Sequence, residues 1–418
     1  MEQPNNLIRQ IKRIIYRYLV GKYINGLNPE YDPAKKTILA LNHFYDQDLF
    51  ALARVNEKYN FIIVDAPRLV RGGKLFFSND VIQINAPYVN ESEANRRAWK
   101  TECRHIFKLL NRRFNINLII TPSDIFWWIR ELIAVGHDHD IKTFVIDKEG
   151  LISPFDFDAE AKRIRERAPF ISDHIFVWSD RQKQYWQKIG VPEKLITVLG
   201  QPRSDLFHCQ QNEAIDKYFN SSRPLITLFS YEDTAYVPPY LARQGINWNT
   251  MKTETHDFIF DLAKGNPKYN FVIKTHPQQS DLAFLHEKYQ LDNLAVIGGA
   301  AVANELIQRS ELIIAFQTTG VIEAMFMNKK VIYTCWDENY RDLINDILPF
   351  HDAPGIVTAK SFEDFKKICQ RFFNQDRKDF NFSEENIKKR EAFINKYLHK
   401  PDGHVSSRFF EAIDTMIQ

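Results

Sequence analysis

No apolar run in this sequence reaches the ~20 residues that cross a bilayer, and its first residues lack the apolar core of a secretory leader. Cysteine is scarce. Cys103, Cys209, Cys335 and Cys369 stand far apart, none in a CxxC pair. That spacing excludes the usual zinc sets and a disulfide framework, and it reads as reduced thiols in the cytoplasm. Charge of one sign is lacking too: the net is +2 over 418 residues, so no global basic field points to nucleic acid. There is no low-complexity tract and no repeat of fixed period.

What remains is an ordinary globular composition, 44% hydrophobic and 26% charged, at a length comfortable for two domains. Short β-rich runs alternate with helical patterns, the signature of parallel α/β layers. INLIIT (116–121), KTFVID (142–147), HIFVWS (174–179) and ITVLG (196–200) read as strands of one domain. A polar stretch at 205–223 marks the junction. PLITLFS (224–230), FVIKT (271–275), LAVIGG (294–299), LIIAF (312–316) and KKVIYTCW (329–336) read as strands of the second. The pattern predicts an N-terminal domain over 1–215, a C-terminal domain over 216–400, and a final helix over 401–418 packing back toward the first. The expected fold is two Rossmann-like, doubly wound domains facing a cleft. Ligands of such sheets bind at the carboxyl ends of strands.

Residues 7–19, LIRQIKRIIYRYL, form a basic amphipathic helix. Two readings are open: a helix packed on its own domain with a solvated basic face, or a peripheral contact with anionic lipid.

Strand-ending loops hold the candidate chemistry. Asp147-Lys148-Glu149-Gly150 offers a carboxylate beside a glycine, suited to a base or nucleophile or simply a charged turn. Lys274-Thr275-His276-Pro277 offers cations for a phosphate, with Pro277 fixing the turn. Gln317-Thr318-Thr319-Gly320 opens a helix containing Glu323. Hydroxyls and unpaired N–H groups there suit an anion, and a Thr N-cap is the plain alternative. Lys274, His276 and Thr318-Thr319 are expected at the ends of adjacent strands, as one phosphate cradle. Tyr231-Glu232-Asp233 opens the second domain. Gln201, Arg203 and Ser204 follow ITVLG, where Arg203 can take a carboxylate bidentately or serve a structural ion pair.

The order of these motifs resembles bacterial GT-B transferases that use CMP-activated ulosonic acids. In their sialyltransferase branches an acidic-acidic-Gly motif supplies the acid/base, and His-Pro and a Ser/Thr pair hold the CMP phosphate. Glu149-Gly150, His276-Pro277 and Thr318-Thr319 match in order, with Lys148 in place of the first acid. The stretch from VIDKEGLISPFDFD to LGQPRSD looks closer to surface-polysaccharide transferases, including the β-Kdo transferases of O-antigen and capsule assembly, over about residues 115–340. The resemblance implies a metal-independent transferase without cofactor, taking Kdo from CMP-Kdo to a glycan or lipid-linked acceptor. It further implies retention of configuration, with Glu149 and Asp233 (or Glu232) as nucleophile and acid/base; Asp46, Asp124 and Asp156 are the reserve carboxylates. Asp402-Gly403-His404-Val405-Ser406-Ser407-Arg408 is similar to a segment of teichoic-acid glycerophosphotransferases, which use CDP-glycerol. A sugar-nucleotide 2-epimerase and a non-catalytic nucleotide-sugar binder are the remaining readings. The expected location is cytoplasmic, peripheral on the inner face of the membrane.

Overall fold

A computed structural model describes residues 3–27, 30–77, 93–209, 215–219, 223–231, 247–277, 279–299, 303–334, 344–376 and 378–417. The chain divides into two compact units. The first comprises residues 1–150, 157–203 and 404–418; the second comprises 151–156 and 204–403.

In the first unit β1 (Lys36–Asn42), β2 (Tyr59–Asp65), β3 (Ile116–Thr121), β4 (Lys142–Ile146), β5 (His174–Val177) and β6 (Ile196–Val198) pair in parallel, in the order β2-β1-β3-β4-β5-β6. Period-two alternation sends their side chains to two cores. Leu39, Leu41, Ile62, Ile116 and Ile119 meet Trp99, Phe107, Leu110, Trp128 and Leu132 of the helices Glu93–Phe114 and Trp127–His137. Ile38, Ala40, Leu118, Ile120 and Phe144 meet Leu49 and Leu52, and also Val405, Phe409, Phe410 and Ile413 of the helix Val405–Met416. That helix is tied down at its far end as well. Asp414 takes Lys58 (2.5 Å) and the Tyr59 hydroxyl, and Lys36 donates to the Ile417 carbonyl (2.9 Å).

The second unit holds β7 (Leu225–Phe229), β8 (Asn270–Lys274), β9 (Leu294–Ile297), β10 (Ser310–Ala315), β11 (Lys330–Thr334) and β12 (Val357–Ala359), all parallel, in the order β12-β11-β10-β7-β8-β9. Counted from β7 this is the 3-2-1-4-5-6 arrangement of nucleotide-binding sheets. The helices Trp248–Gly265 and Phe362–Phe373 cover one face through Ile259, Leu262, Phe365, Ile368 and Phe372.

β1, β2 and β12 escaped the sequence reading. TILALN in β1 is buried on both faces, so it carries no alternation to read. β12 is three residues long.

Each sheet has one switch point, where strand order reverses and loops diverge. In the first unit it lies between β1 and β3, in the second between β7 and β10.

Candidate functional site

In the second unit the expected cradle residues fall on the ends of β8 (Lys274, His276) and β10 (Thr318, Thr319), with the end of β7 between them in the order β10-β7-β8. The sequence reading put β8 and β10 side by side. β7 stands between them, because the chain lays down β7, β8 and β9 in one direction and then crosses back to place β10 on the opposite edge of β7. A shallow recess at this point is lined by Phe229, Ser230, Tyr231, Phe316, Gln317 and Thr318.

Side chains stitch the three ends together. At β10, Gln317 donates to the Tyr333 hydroxyl (2.6 Å) and the Leu348 carbonyl (2.8 Å) and accepts from Leu348 N–H (3.0 Å). Thr318 caps the helix Thr319–Phe326, its hydroxyl accepting from Gly320 N–H (3.3 Å). Thr319 is half-buried in the first turn and Glu323 is buried further along the same helix. Phe316 meets Tyr231 of the β7 end, ring centroids 5.3 Å apart. From β7, the Ser230 hydroxyl meets His256 Nε2 (2.9 Å) and accepts from the Gln279 amide (3.0 Å). Gln279 in turn accepts from His276 N–H (3.1 Å), fixing the turn that carries half-buried His276 and exposed Pro277. Burial pulls the His256 pKa down to about 3. Its imidazole is therefore neutral and a weak base, so the Ser230–His256 pair is a tie between elements rather than an activated nucleophile.

Lys274, the last residue of β8, is buried. Its ammonium donates to the Thr275 carbonyl (2.7 Å), and no ion pair reaches it among the described residues. Desolvation lowers its pKa to about 8. A buried cation held only by a carbonyl gains when an anion arrives.

The strand ends of the first unit carry acids. Asp48, one turn past β1, is buried and takes two bonds from Arg203, from N–H (3.0 Å) and from the guanidinium (3.2 Å). Arg203 lies over the Trp178 ring at 4.9 Å, so its carboxylate partner is supplied by the chain itself. Gln201 and Ser204 are buried on either side of it in sequence. Asp124, past β3, is buried and accepts from Ile171 N–H (2.8 Å) and Ser172 N–H (3.0 Å), and burial raises its pKa. Asp147, at the end of β4, accepts from Trp186 Nε1 (2.5 Å) and Glu149 N–H (3.1 Å); burial pushes its pKa up to about 7.

Glu149 itself projects outward, paired with Lys148 at 3.4 Å, and Lys148 lies over the Phe44 ring at 5.3 Å. A Cβ on Gly150 would lie 2.0 Å from Trp178, so this glycine answers a packing demand. Of the reserve carboxylates, Asp46 accepts from Asn42 (2.7 Å) and Asp156 from Ser153 (2.7 Å). Glu232 and Asp233 lie outside the described residues.

One group that the sequence reading passed over sits at the first switch point. His43 follows β1, buried, with Phe44, Phe126 and Trp128 at ring distances of 4.7, 4.9 and 5.4 Å. Its signal is the Asn-His that closes TILALN, and it is legible only once that run is known to be a strand. No group of three or more His, Cys, Asp or Glu side chains fit to hold a metal occurs among the described residues.

Solved structures share this fold. The wall teichoic acid polymerase TagF aligns over all of this chain and 99% of its own, with a TM-score of 0.57 at 11% identity. A second TagF structure, soaked with CDPG, aligns over all of this chain and 98% of its own, with a TM-score of 0.56 at 10% identity. UDP-GlcNAc 2-epimerase from Neisseria meningitidis, bound to UDP-GlcNAc, covers 91% of this chain and all of its own, with a TM-score of 0.52 at 14% identity. S. aureus MnaA with UDP covers 91% and 97%, with a TM-score of 0.53 at 12% identity. Identities this low show architecture: the chain has the GT-B arrangement of two Rossmann-like α/β domains with parallel sheets. No protein-family model and no curated protein matches the sequence.

Proposed function

We propose that this chain is a glycosyltransferase-type enzyme that binds a cytidine-activated donor at the switch point of its second unit and transfers the activated group to a surface-glycan acceptor. The observation that carries the reading is Lys274, a buried ammonium with no carboxylate partner among the described residues, on the strand beside the recess of Ser230, Tyr231, Gln317 and Thr318. A nucleotide phosphate supplies the missing negative charge, and His276 and the capped start of Thr319–Phe326 add donors. Kdo from CMP-Kdo is the transfer that residues 115–340 favour. Glycerol phosphate from CDP-glycerol is the second reading, supported by Asp402–Arg408 and by the CDPG found with a polymerase of the same fold. A UDP-GlcNAc 2-epimerase of this fold, bound to UDP-GlcNAc, supplies the third.

The chemical step needs a proton carrier and, for a retaining reaction, a carboxylate nucleophile. Glu149 and Asp233 are proposed for these duties, with His43 the further candidate because it stands at the first switch point.

Thermal unfolding in the presence of CMP, CDP, UMP, UDP and GDP tests the donor. A ligand at a hundred times its Kd adds about 2.7 kcal/mol, so CMP or CDP should raise Tm by several degrees. A rise with UDP alone, together with turnover of UDP-GlcNAc without acceptor, would replace the transferase by an epimerase. Asp233→Asn, Glu149→Gln and His43→Gln should each be scored for transfer and for nucleotide binding. Loss of transfer with binding intact marks the chemical residue. Near-normal transfer by all three removes them together.

A further inference from the structure

The helix Gln3–Gly26 turns an apolar face outward. Ile8, Ile11, Ile14, Ile15, Tyr18 and Leu19 are each 48–69% exposed, and they make up six of the thirteen large exposed hydrophobics among the described residues. Soluble surfaces scatter such side chains singly. Here Ile8, Ile11, Ile15 and Leu19 repeat at helical spacing along one line, about 16 Å long, with Ile14 and Tyr18 alongside.

The helix is not at liberty to roll this face inward. Its other side is spent: Tyr16, Val20 and Ile24 are buried in the core of the first unit. The Arg17 guanidinium reaches buried Glu102 at 2.8 Å, Arg13 lies 4.1 Å over the Phe76 ring, and Arg113 donates to the Ile24 carbonyl (2.7 Å). The sequence reading allowed a packed helix with a solvated basic face; the packed face is present, and the solvated face is apolar with basic margins.

Charge decides what such a face fits. The helix carries Arg9, Lys12, Arg13, Arg17 and Lys22 and no acid. Lys12 and Lys22 are exposed, as are Arg68 and Arg71 on the helix Ala66–Gly73 packed beside it, and Lys74 just beyond. A second copy of this face would bring like charges together. A neutral protein partner would leave the basic margin unanswered. The helix is not apolar enough to cross a bilayer. We propose that Gln3–Gly26 lies in the plane of an anionic membrane surface, with the isoleucine line and Tyr18 among the acyl chains and Lys12, Lys22, Arg68 and Arg71 at the headgroups. The inference stands on this helix alone and does not rest on the proposed donor.

The full chain should co-sediment with vesicles of mixed phosphatidylcholine and phosphatidylglycerol at low salt, and bind phosphatidylcholine alone at least about tenfold less. Raised salt should weaken the mixed-vesicle binding. The variant Ile11→Ser, Ile14→Ser, Ile15→Ser, Tyr18→Ser should bind at least about tenfold less with an unchanged Tm, because these side chains are already outside the core. As an independent reading, Tyr18→Trp should gain a tryptophan emission quenched by brominated lipid. Parent protein that stays in the supernatant, a serine variant that binds like the parent, or an introduced indole whose emission is not quenched would each overturn the proposal. So would a parent dimer, seen by light scattering, that the serine variant dissolves: the face would then belong to a second copy.

Discussion

The two switch points are built from opposite charges. The first unit buries acids at its strand ends, Asp48, Asp124 and Asp147, and meets each one from within the chain. A guanidinium serves Asp48, two backbone N–H groups serve Asp124, and an indole and a backbone N–H serve Asp147. The second unit buries a cation, Lys274, and among the described residues gives it one carbonyl; around it run the neutral ties of Ser230 to His256 and Gln279 and of Gln317 to Leu348, while the Asp281 carboxylate nearby is taken up by Gln279 (2.8 Å) and Lys252 (2.8 Å). Buried charge satisfied by its own fold is scaffolding. Buried charge left for something else to satisfy is a reception point. The difference separates a wall that holds its shape from a surface prepared for an anion.

Removing a partner is the harshest way to break this comparison. Asp48→Ala leaves the Arg203 guanidinium, nearly buried itself, without its acid. The expected loss is about 3–5 kcal/mol of stability, read as a fall in Tm. A loss under about 1 kcal/mol would mean that the pair is not scaffolding.

Asp147 offers a sharper probe, through pH. Its folded pKa of about 7 lies above its ordinary 3.8, so between those values the native state holds a proton that the unfolded state has released. Stability falls as pH rises across that window and levels off above it. The full span amounts to roughly 2–4 kcal/mol. Urea unfolding at pH 5 and pH 8 should show this slope in the parent, and Asp147→Asn should remove that share of it.

Lys274 runs the other way. Its folded pKa of about 8 lies below the ordinary 10.5, so the buried charge costs stability below pH 8, and that cost disappears as pH climbs toward 10.5. Lys274→Met should therefore fold at least as stably at pH 7 while losing roughly 1.5–3 kcal/mol of nucleotide binding, about ten- to a hundredfold. In the parent, affinity for CMP or CDP should decline as pH rises through 8, and titration calorimetry would show it. Equal affinity in the two proteins would end the contrast between the units. The smallest effect belongs to Thr318→Ala, about 1 kcal/mol for a lost N-cap, with a modest loss of nucleotide affinity.

Nine of the strands were legible as β-branched runs bounded by turn residues, because NLII, FVI and KVIY have no other economical reading at that length. The parts that were not legible fail for stated reasons. β1 is apolar on both faces, so without alternation it cannot be told from a buried helix by pattern alone, and with it went His43 and the first switch point. The Asp48–Arg203 pair joins positions 155 apart, a distance no local motif spans. Asp147 was read as part of an acid-Gly loop led by Glu149. Burial sets them apart: Asp147 lies buried with its pKa raised, and Glu149 points outward. At the second switch point the motifs themselves were visible, and what eluded the reading was their order in space, which depends on a crossover.

The helix Val405–Met416 fills one face of the first sheet, against Ile38, Ala40, Leu118 and Ile120, yet along the chain Ser204–Gly403 comes between that sheet and this cover. On a ribosome, the entire second unit emerges while that greasy face still lacks this part of its cover. The first unit to be translated is thus the last to be finished, and during the wait its sheet is the surface that chaperones have reason to guard.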